Sequence, residues 1–282
     1  MLTGVGQIMF QNSAFTGAFF LAGVAVASPL MAIGAAVGSA IGTATAALLR
    51  YDREKIRDGL YGYNASLVGI ALFFFHEPVA MTVAIAAVGC AVSTVVTRAM
   101  QQRMPLPTYT APFILTTWIA LFVAQRLDVP LVAAPPAMQE EALPVTEAVL
   151  RGISEVMLQA NVLTGALFMV GILLCSWKAA LWAIAGSLLG LLIGIEQHLP
   201  ESTLSLGIYG YNAALAAMGM ALYRRSVLLP VTAVVLSVPI TEKFPLTGLA
   251  TLTAPFVLAC WVIIAMDRLD TLLNSGRPAG SS

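Results

Sequence analysis

The nine residues Gly59-Leu-Tyr-Gly-Tyr-Asn-Ala-Ser-Leu67 recur as Gly207-Ile-Tyr-Gly-Tyr-Asn-Ala-Ala-Leu215, with seven identities at an offset of 148. The offset holds outward toward the N-terminus. GVGQIMFQNSAFTG at 4–17 lies over GISEVMLQANVLTG at 152–165, so register is kept for about sixty residues without a gap. Further on, TAPFILTTW at 110–118 matches TAPFVLACW at 253–261, after a small change in length. The chain is one unit written twice.

What surrounds the repeats sets the solvent. Of 282 residues, 59% are hydrophobic and 10% charged, and residues 1–49 hold no Asp, Glu, Lys or Arg. A soluble domain carries roughly 25% charged residues. Here charge-free stretches follow one another, most of them near the ~20 apolar residues that cross a bilayer. The composition predicts an all-α polytopic membrane protein and excludes a soluble enzyme. The 14 basic and 14 acidic residues cancel, leaving no electrostatic footprint for nucleic acid.

Spans are expected near 14–28, 30–49, 65–76, 79–98 and 111–126, then 163–177, 179–195, 212–223, 226–241 and 253–267. Those starting at Ala65 and Ala213 look short for a crossing. With the N-terminus inside and sides alternating, eleven Lys and Arg residues fall inside and three (Arg126, Arg151, Lys243) outside. Both termini are therefore expected in the cytoplasm. Five spans per unit is odd, so the second copy enters from the opposite side. This gives two inverted repeats, 1–126 and 151–268, an outside linker at 127–150 and a cytoplasmic polar tail at 269–282. Inverted repeats place the substrate path at their interface, among discontinuous helices.

The repeated segments are rich in Gly, Asn, Gln, Thr and Pro, which belong against protein or a water-filled cavity. Residues 2–17 read as a short re-entrant half-helix ending in a polar break, whose last carbonyls need donors. Gln7 is matched by Glu155. An ionisable residue at membrane depth costs several kcal/mol, which makes Glu155 a functional candidate; the alternative is a Glu at an interfacial helix start. Gln and Glu share only an acceptor oxygen, which favours hydrogen bonding to a donor-rich neutral solute. Tyr63 with Leu67, Tyr211 with Leu215, and Phe10 supply flat apolar surface. Asn64 and Asn212 read as N-caps of the helices that follow. Thr110 and Thr253, each before Ala-Pro-Phe, stand at helix starts, where the hydroxyl either caps the helix or faces the pathway.

The cysteines Cys90, Cys175 and Cys260 are scattered through apolar runs, and His76 and His198 are not paired. No metal cluster, catalytic set or phosphate loop is present in the sequence, so no cofactor, metal or catalytic residue is expected.

These motifs carry a resemblance. The doubled GYNA-L segment, LPTYTAPF at 106–113 and the GxxQ…QN…TG opening resemble the urea transporter family over residues 1–268. The resemblance implies a bacterial inner-membrane homotrimer surrounded by lipid, with one pore per protomer conducting urea passively. It implies a site of Gln7, Phe10, Tyr63, Leu67 and Thr110 in the first half. In the second it implies Glu155, Val156, Tyr211, Leu215 and Thr253. Phe and Leu slots would stack the planar solute, while side-chain and backbone oxygens accept its N–H groups. Departures are Tyr63 in place of Phe, Ala250 in place of the first Pro of the second LPxxTxPF copy, and Leu158 where the first half has Phe10. Alternatives are a channel for another small neutral solute (ammonia, short amides) or a proton-coupled urea transporter using Glu155.

Overall fold

The computed structural model describes residues 1–133 and 144–275, without the side chains of 272–275. The first half forms α1 (Leu2–Gln7), α2 (Ala14–Ala27), α3 (Pro29–Leu48), α4 (Arg53–Arg57), α5 (Tyr63–Phe75), α6 (Ala80–Arg103) and α7 (Ala111–Arg126). The second repeats the order as α8 (Val145–Glu155), α9 (Val162–Cys175), α10 (Trp177–Glu196), α11 (Glu201–Ser205), α12 (Gly210–Tyr223), α13 (Leu228–Lys243) and α14 (Ala254–Ser275). A 3₁₀ turn (Phe244–Thr247) precedes α14. The protein is all-α and polytopic. Pro29–Leu48, Ala80–Arg103, Trp177–Glu196 and Leu228–Thr247 are long and apolar enough to cross a membrane.

The remaining apolar helices are shorter, and burial explains why that is tolerated. α5 has 13 residues, only ~20 Å at 1.5 Å per residue, and its residues Tyr63 to Leu72 are all buried. A helix wrapped by other helices need not match the hydrocarbon thickness. Its mate α12 is buried from Gly210 to Met220.

Helix ends follow the sequence chemistry. Ser13 accepts from Thr16 N–H to cap α2, and Asn161 does the same for Thr164 and α9. Ser28 and Ser176 cap α3 and α10, with Pro29 at the position where its missing N–H costs nothing. Expected boundaries shift most at three places: α6 runs on to Arg103, past the expected end at 98. α8 reaches back to Val145, into the stretch assigned to the linker, and α14 runs to Ser275, past the expected start of the polar tail. Residues 134–143 of the linker and 276–282 of the tail lie outside the described residues.

The halves meet through reciprocal contacts. Thr16 Oγ1 donates to Gly171 O (2.9 Å) and Thr164 Oγ1 donates to Gly23 O (2.8 Å). Each partner pair is the other shifted by 148, the signature of a two-fold axis. The start of α2 thus touches the far part of α9, and the far part of α2 touches the start of α9. The two helices run antiparallel, so the axis is perpendicular to them and the repeats are inverted. Phe20 and Phe168 pack across this axis with ring centroids 4.8 Å apart and planes tilted by 49°. Close approach needs Gly23 and Gly171, since a Cβ would sit 2.8 Å from the Phe168 ring or 2.9 Å from Phe19 Cβ.

The short helices are docked the same way twice. Ser39 Oγ donates to Met1 O (2.8 Å), and Ser187 Oγ to Val149 O (2.9 Å). Gly59 and Gly207 both take φ +77°, a conformation that glycine adopts without steric penalty. A Cβ on Gly59 would lie 2.5 Å from Gly4 N, and one on Gly207 would collide with Gly152 N.

Candidate pore and its constriction

Each half-helix ends just before a left-handed residue, Phe10 (φ 62°) or Leu158 (φ 59°). The polar break is largely consumed locally. Gln11 Nε2 bonds Met9 O (2.7 Å), and Gln159 Nε2 bonds Met157 O (3.0 Å). The carbonyls of Ile8 and Phe10 receive no protein hydrogen bond among the described residues.

Gln7 lies at the end of α1, and its Nε2 donates to Asp58 O (2.8 Å). A carbonyl only accepts, so this contact fixes the amide orientation and leaves Oε1 as the free acceptor. Glu155 holds the matching place on α8. It is 8% exposed, and its carboxylate makes no hydrogen bond or ion pair among the described residues; Arg151, one turn earlier, pairs with Glu147 instead (3.8 Å). The two positions thus share an unengaged acceptor oxygen.

A cavity of about 480 Å³ opens on the first half, and Gln7, Phe10, Tyr63 and Thr110 all line it. Leu67 does not border it and is buried one turn deeper in α5. Val156, Tyr211, Leu215 and Thr253 are buried in the second half. The bridge between halves is direct: Thr110 Oγ1 and Thr253 Oγ1 are 2.7 Å apart and hydrogen-bonded. These are equivalent residues, so the bond sits on the two-fold axis.

Why the threonines are free to meet corrects the expected capping. Asn64 is the second residue of α5, and it does not cap its own helix. Its Oδ1 accepts from Phe113 N–H of α7 (3.3 Å), while Nδ2 donates to Thr97 Oγ1 (3.1 Å). Asn212 accepts likewise from Phe256 N–H (3.1 Å). The asparagine of one helix therefore satisfies an orphan N–H in the first turn of another. Thr110 makes no side-chain cap, which leaves its hydroxyl to Thr253.

The loops before α7 and α14 are held from three sides. Trp261 Nε1 donates to Pro107 O and Trp118 Nε1 to Ala250 O, both at 2.8 Å and both across the halves. Tyr63 Oη donates to Tyr109 O (2.5 Å), and Tyr211 Oη to Leu252 O (2.6 Å). Tyr109 and Leu252 are left-handed, φ 43° and 44°, which costs about 1–2 kcal/mol for a residue with a Cβ and persists because the loop is so restrained.

The sequence did not single out Tyr109 and Phe256. Tyr109 lines the cavity, its ring is 4.9 Å from Phe256, and both rings pack edge-on against Phe10 at 6.1 Å. Both lie inside the motifs already flanking Thr110 and Thr253; their meeting across the halves is visible only in three dimensions.

Apolar membrane-length helices in two inverted repeats, a cavity beside Thr110 and a threonine pair bonded between the halves define the class as an all-α polytopic membrane protein. The chain belongs to the urea transporter family, whose model matches residues 1–268. It is 30% identical over 236 residues to urea transporter 1 of Rattus norvegicus, covering 78% of this chain and 62% of that protein. It is 28% identical over 291 aligned positions to urea transporter 1 of Ovis aries, covering 94% and 76%. The family is one of transporters, not enzymes.

Proposed function

We propose that the chain conducts urea passively through a pore in each protomer. The observation that carries this reading is the Thr110–Thr253 hydrogen bond on the two-fold axis, with the acceptors Gln7 and Glu155 at equivalent places in the two halves. Urea is flat and has four N–H donors. Stripping water from a polar group without replacement costs about 2–7 kcal/mol. Gln7 Oε1, Glu155 and the carbonyls of Ile8 and Phe10 offer replacement acceptors. Phe10, Tyr63 and Leu67 in the first half, and Val156, Tyr211 and Leu215 in the second, give the apolar walls that a planar molecule stacks on.

At the axis the threonine pair exchanges its mutual bond for bonds to the solute. Swapping one hydrogen bond for another is worth only ~1 kcal/mol net, so the constriction is crossed without a deep well. Binding that permits entry yet allows departure is what conduction needs. The repeats 1–126 and 151–268 joined outside by 127–150, a cytoplasmic tail at 269–282, both termini inside, and a homotrimer in a bacterial inner membrane complete the proposal.

The test is stopped-flow light scattering of proteoliposomes under an inward urea gradient. Rapid urea entry above that of protein-free liposomes, independent of a proton gradient, is expected. Entry no faster than in protein-free liposomes would overturn the reading. Flux that tracks a proton gradient and vanishes in Glu155→Gln would replace it with proton coupling.

A further inference from the structure

Tyr63 and Tyr211 are more than flat walls. Each hydroxyl grips the carbonyl of the residue immediately before a constriction threonine, at 2.5 Å for Tyr109 O and 2.6 Å for Leu252 O. That carbonyl belongs to the very peptide group whose nitrogen is Thr110 or Thr253. Both gripped residues are left-handed without being glycine, so the local backbone has a lower-energy alternative to relax into if released. The tyrosines are themselves buried and sit in the first turn of α5 and of α12, helices that leave them little room to follow a moving loop.

We propose that the Tyr63 and Tyr211 hydroxyls are positioning groups that set the separation of the Thr110 and Thr253 hydroxyls, and with it the size of solute admitted. The role rests on the urea-conducting reading above and is separate from that of the rings. The tryptophan bonds to Pro107 O and Ala250 O fix the loops three residues upstream of each threonine, and the asparagine bonds fix the helices three residues downstream. Between these points the tyrosine holds the peptide that carries the threonine.

The two braces are not equal. Leu252 O also receives Asn212 Nδ2 at 3.4 Å, whereas Tyr109 O has Tyr63 as its side-chain donor among the described residues. Removing the hydroxyl therefore loosens the first loop more than the second.

Tyr63→Phe and Tyr211→Phe keep each ring and delete only the donor. In proteoliposomes the readout is the ratio of urea to 1,3-dimethylurea permeability, which loss of correctly folded protein does not alter. The ratio is expected to fall by about threefold or more in Tyr63→Phe, a modest share of the discrimination that extra methyl groups give in a tight pocket. It should fall less in Tyr211→Phe and most in the double variant. An unchanged ratio in Tyr63→Phe overturns the proposal. Should that variant not fold, an unchanged ratio in Tyr211→Phe overturns it equally. Wild-type protein that conducts no urea would sink the parent reading, whereas a conducting wild type with indifferent Tyr→Phe variants sinks the bracing alone.

Discussion

The two halves of this chain share a backbone more faithfully than a sequence. Left-handed residues occur at matching places with unrelated side chains: Phe10 and Leu158, Arg50 and His198, Tyr109 and Leu252. The bonds that join the halves are likewise duplicated, Thr16 to Gly171 with Thr164 to Gly23, and Trp118 to Ala250 with Trp261 to Pro107. At the candidate site Tyr63, Leu67 and Thr110 recur as Tyr211, Leu215 and Thr253, while other positions differ. The first half presents Gln7, Phe10 and Tyr109, where the second has Glu155, Leu158 and Leu252. Geometry that both halves need is kept, because each two-fold contact fails if either copy drifts.

The comparison is broken most severely at the paired glycines. Gly59→Val or Gly207→Val places a β-branched residue at φ +77° against the backbone of Gly4 or Gly152. A loss of more than ~3 kcal/mol of stability is expected from strain plus overpacking, seen as aggregated protein on size-exclusion chromatography in detergent. Either glycine should give the same result.

At the axis the expectation is again symmetric but functional. Thr110→Val removes one hydroxyl from the constriction and leaves the other unpaired, a penalty of about 1–3 kcal/mol. Urea flux should fall by roughly tenfold or more with a smaller change in melting temperature, and Thr253→Val should match it within about twofold because the two hydroxyls share one bond. Equal losses of flux and of folded protein would point to a structural role.

Glu155→Gln sharpens the difference between halves, since it gives the second half the side chain of the first. Flux is expected to stay within roughly threefold of wild type, because an acceptor oxygen remains in place. The smallest effects belong to the scaffold bonds. Thr16→Val and Thr164→Val should each cost ~1 kcal/mol and lower the melting temperature by similar amounts, with little change in urea flux per folded protomer.

Much of this architecture was legible in the chain. The constant offset of 148 paired every first-half element through α5 with its mate. Gln7 and Glu155 stood out because a polar residue in an apolar run has no local use. Local chemistry misled at Asn64 and Asn212, where a side chain able to cap its own helix instead reaches Phe113 or Phe256 on another. Tyr109 and Phe256 went unnoticed because nothing adjacent to either in sequence distinguishes a lining ring from a packed one.

Taken alone, the order of residues determined the solvent, the helices, the duplication and the inverted course of the second copy. Those follow from hydropathy, from backbone propensity, and from an odd number of spans. Only the tertiary structure decided that Thr110 and Thr253 meet at 2.7 Å, that tyrosine hydroxyls hold the peptides beside them, and that Gln7 spends its nitrogen on Asp58 O. Each of those facts joins residues at least 41 positions apart. Hydrogen bonds form between whatever groups packing brings within about 3 Å, and packing is a property of the assembled helices.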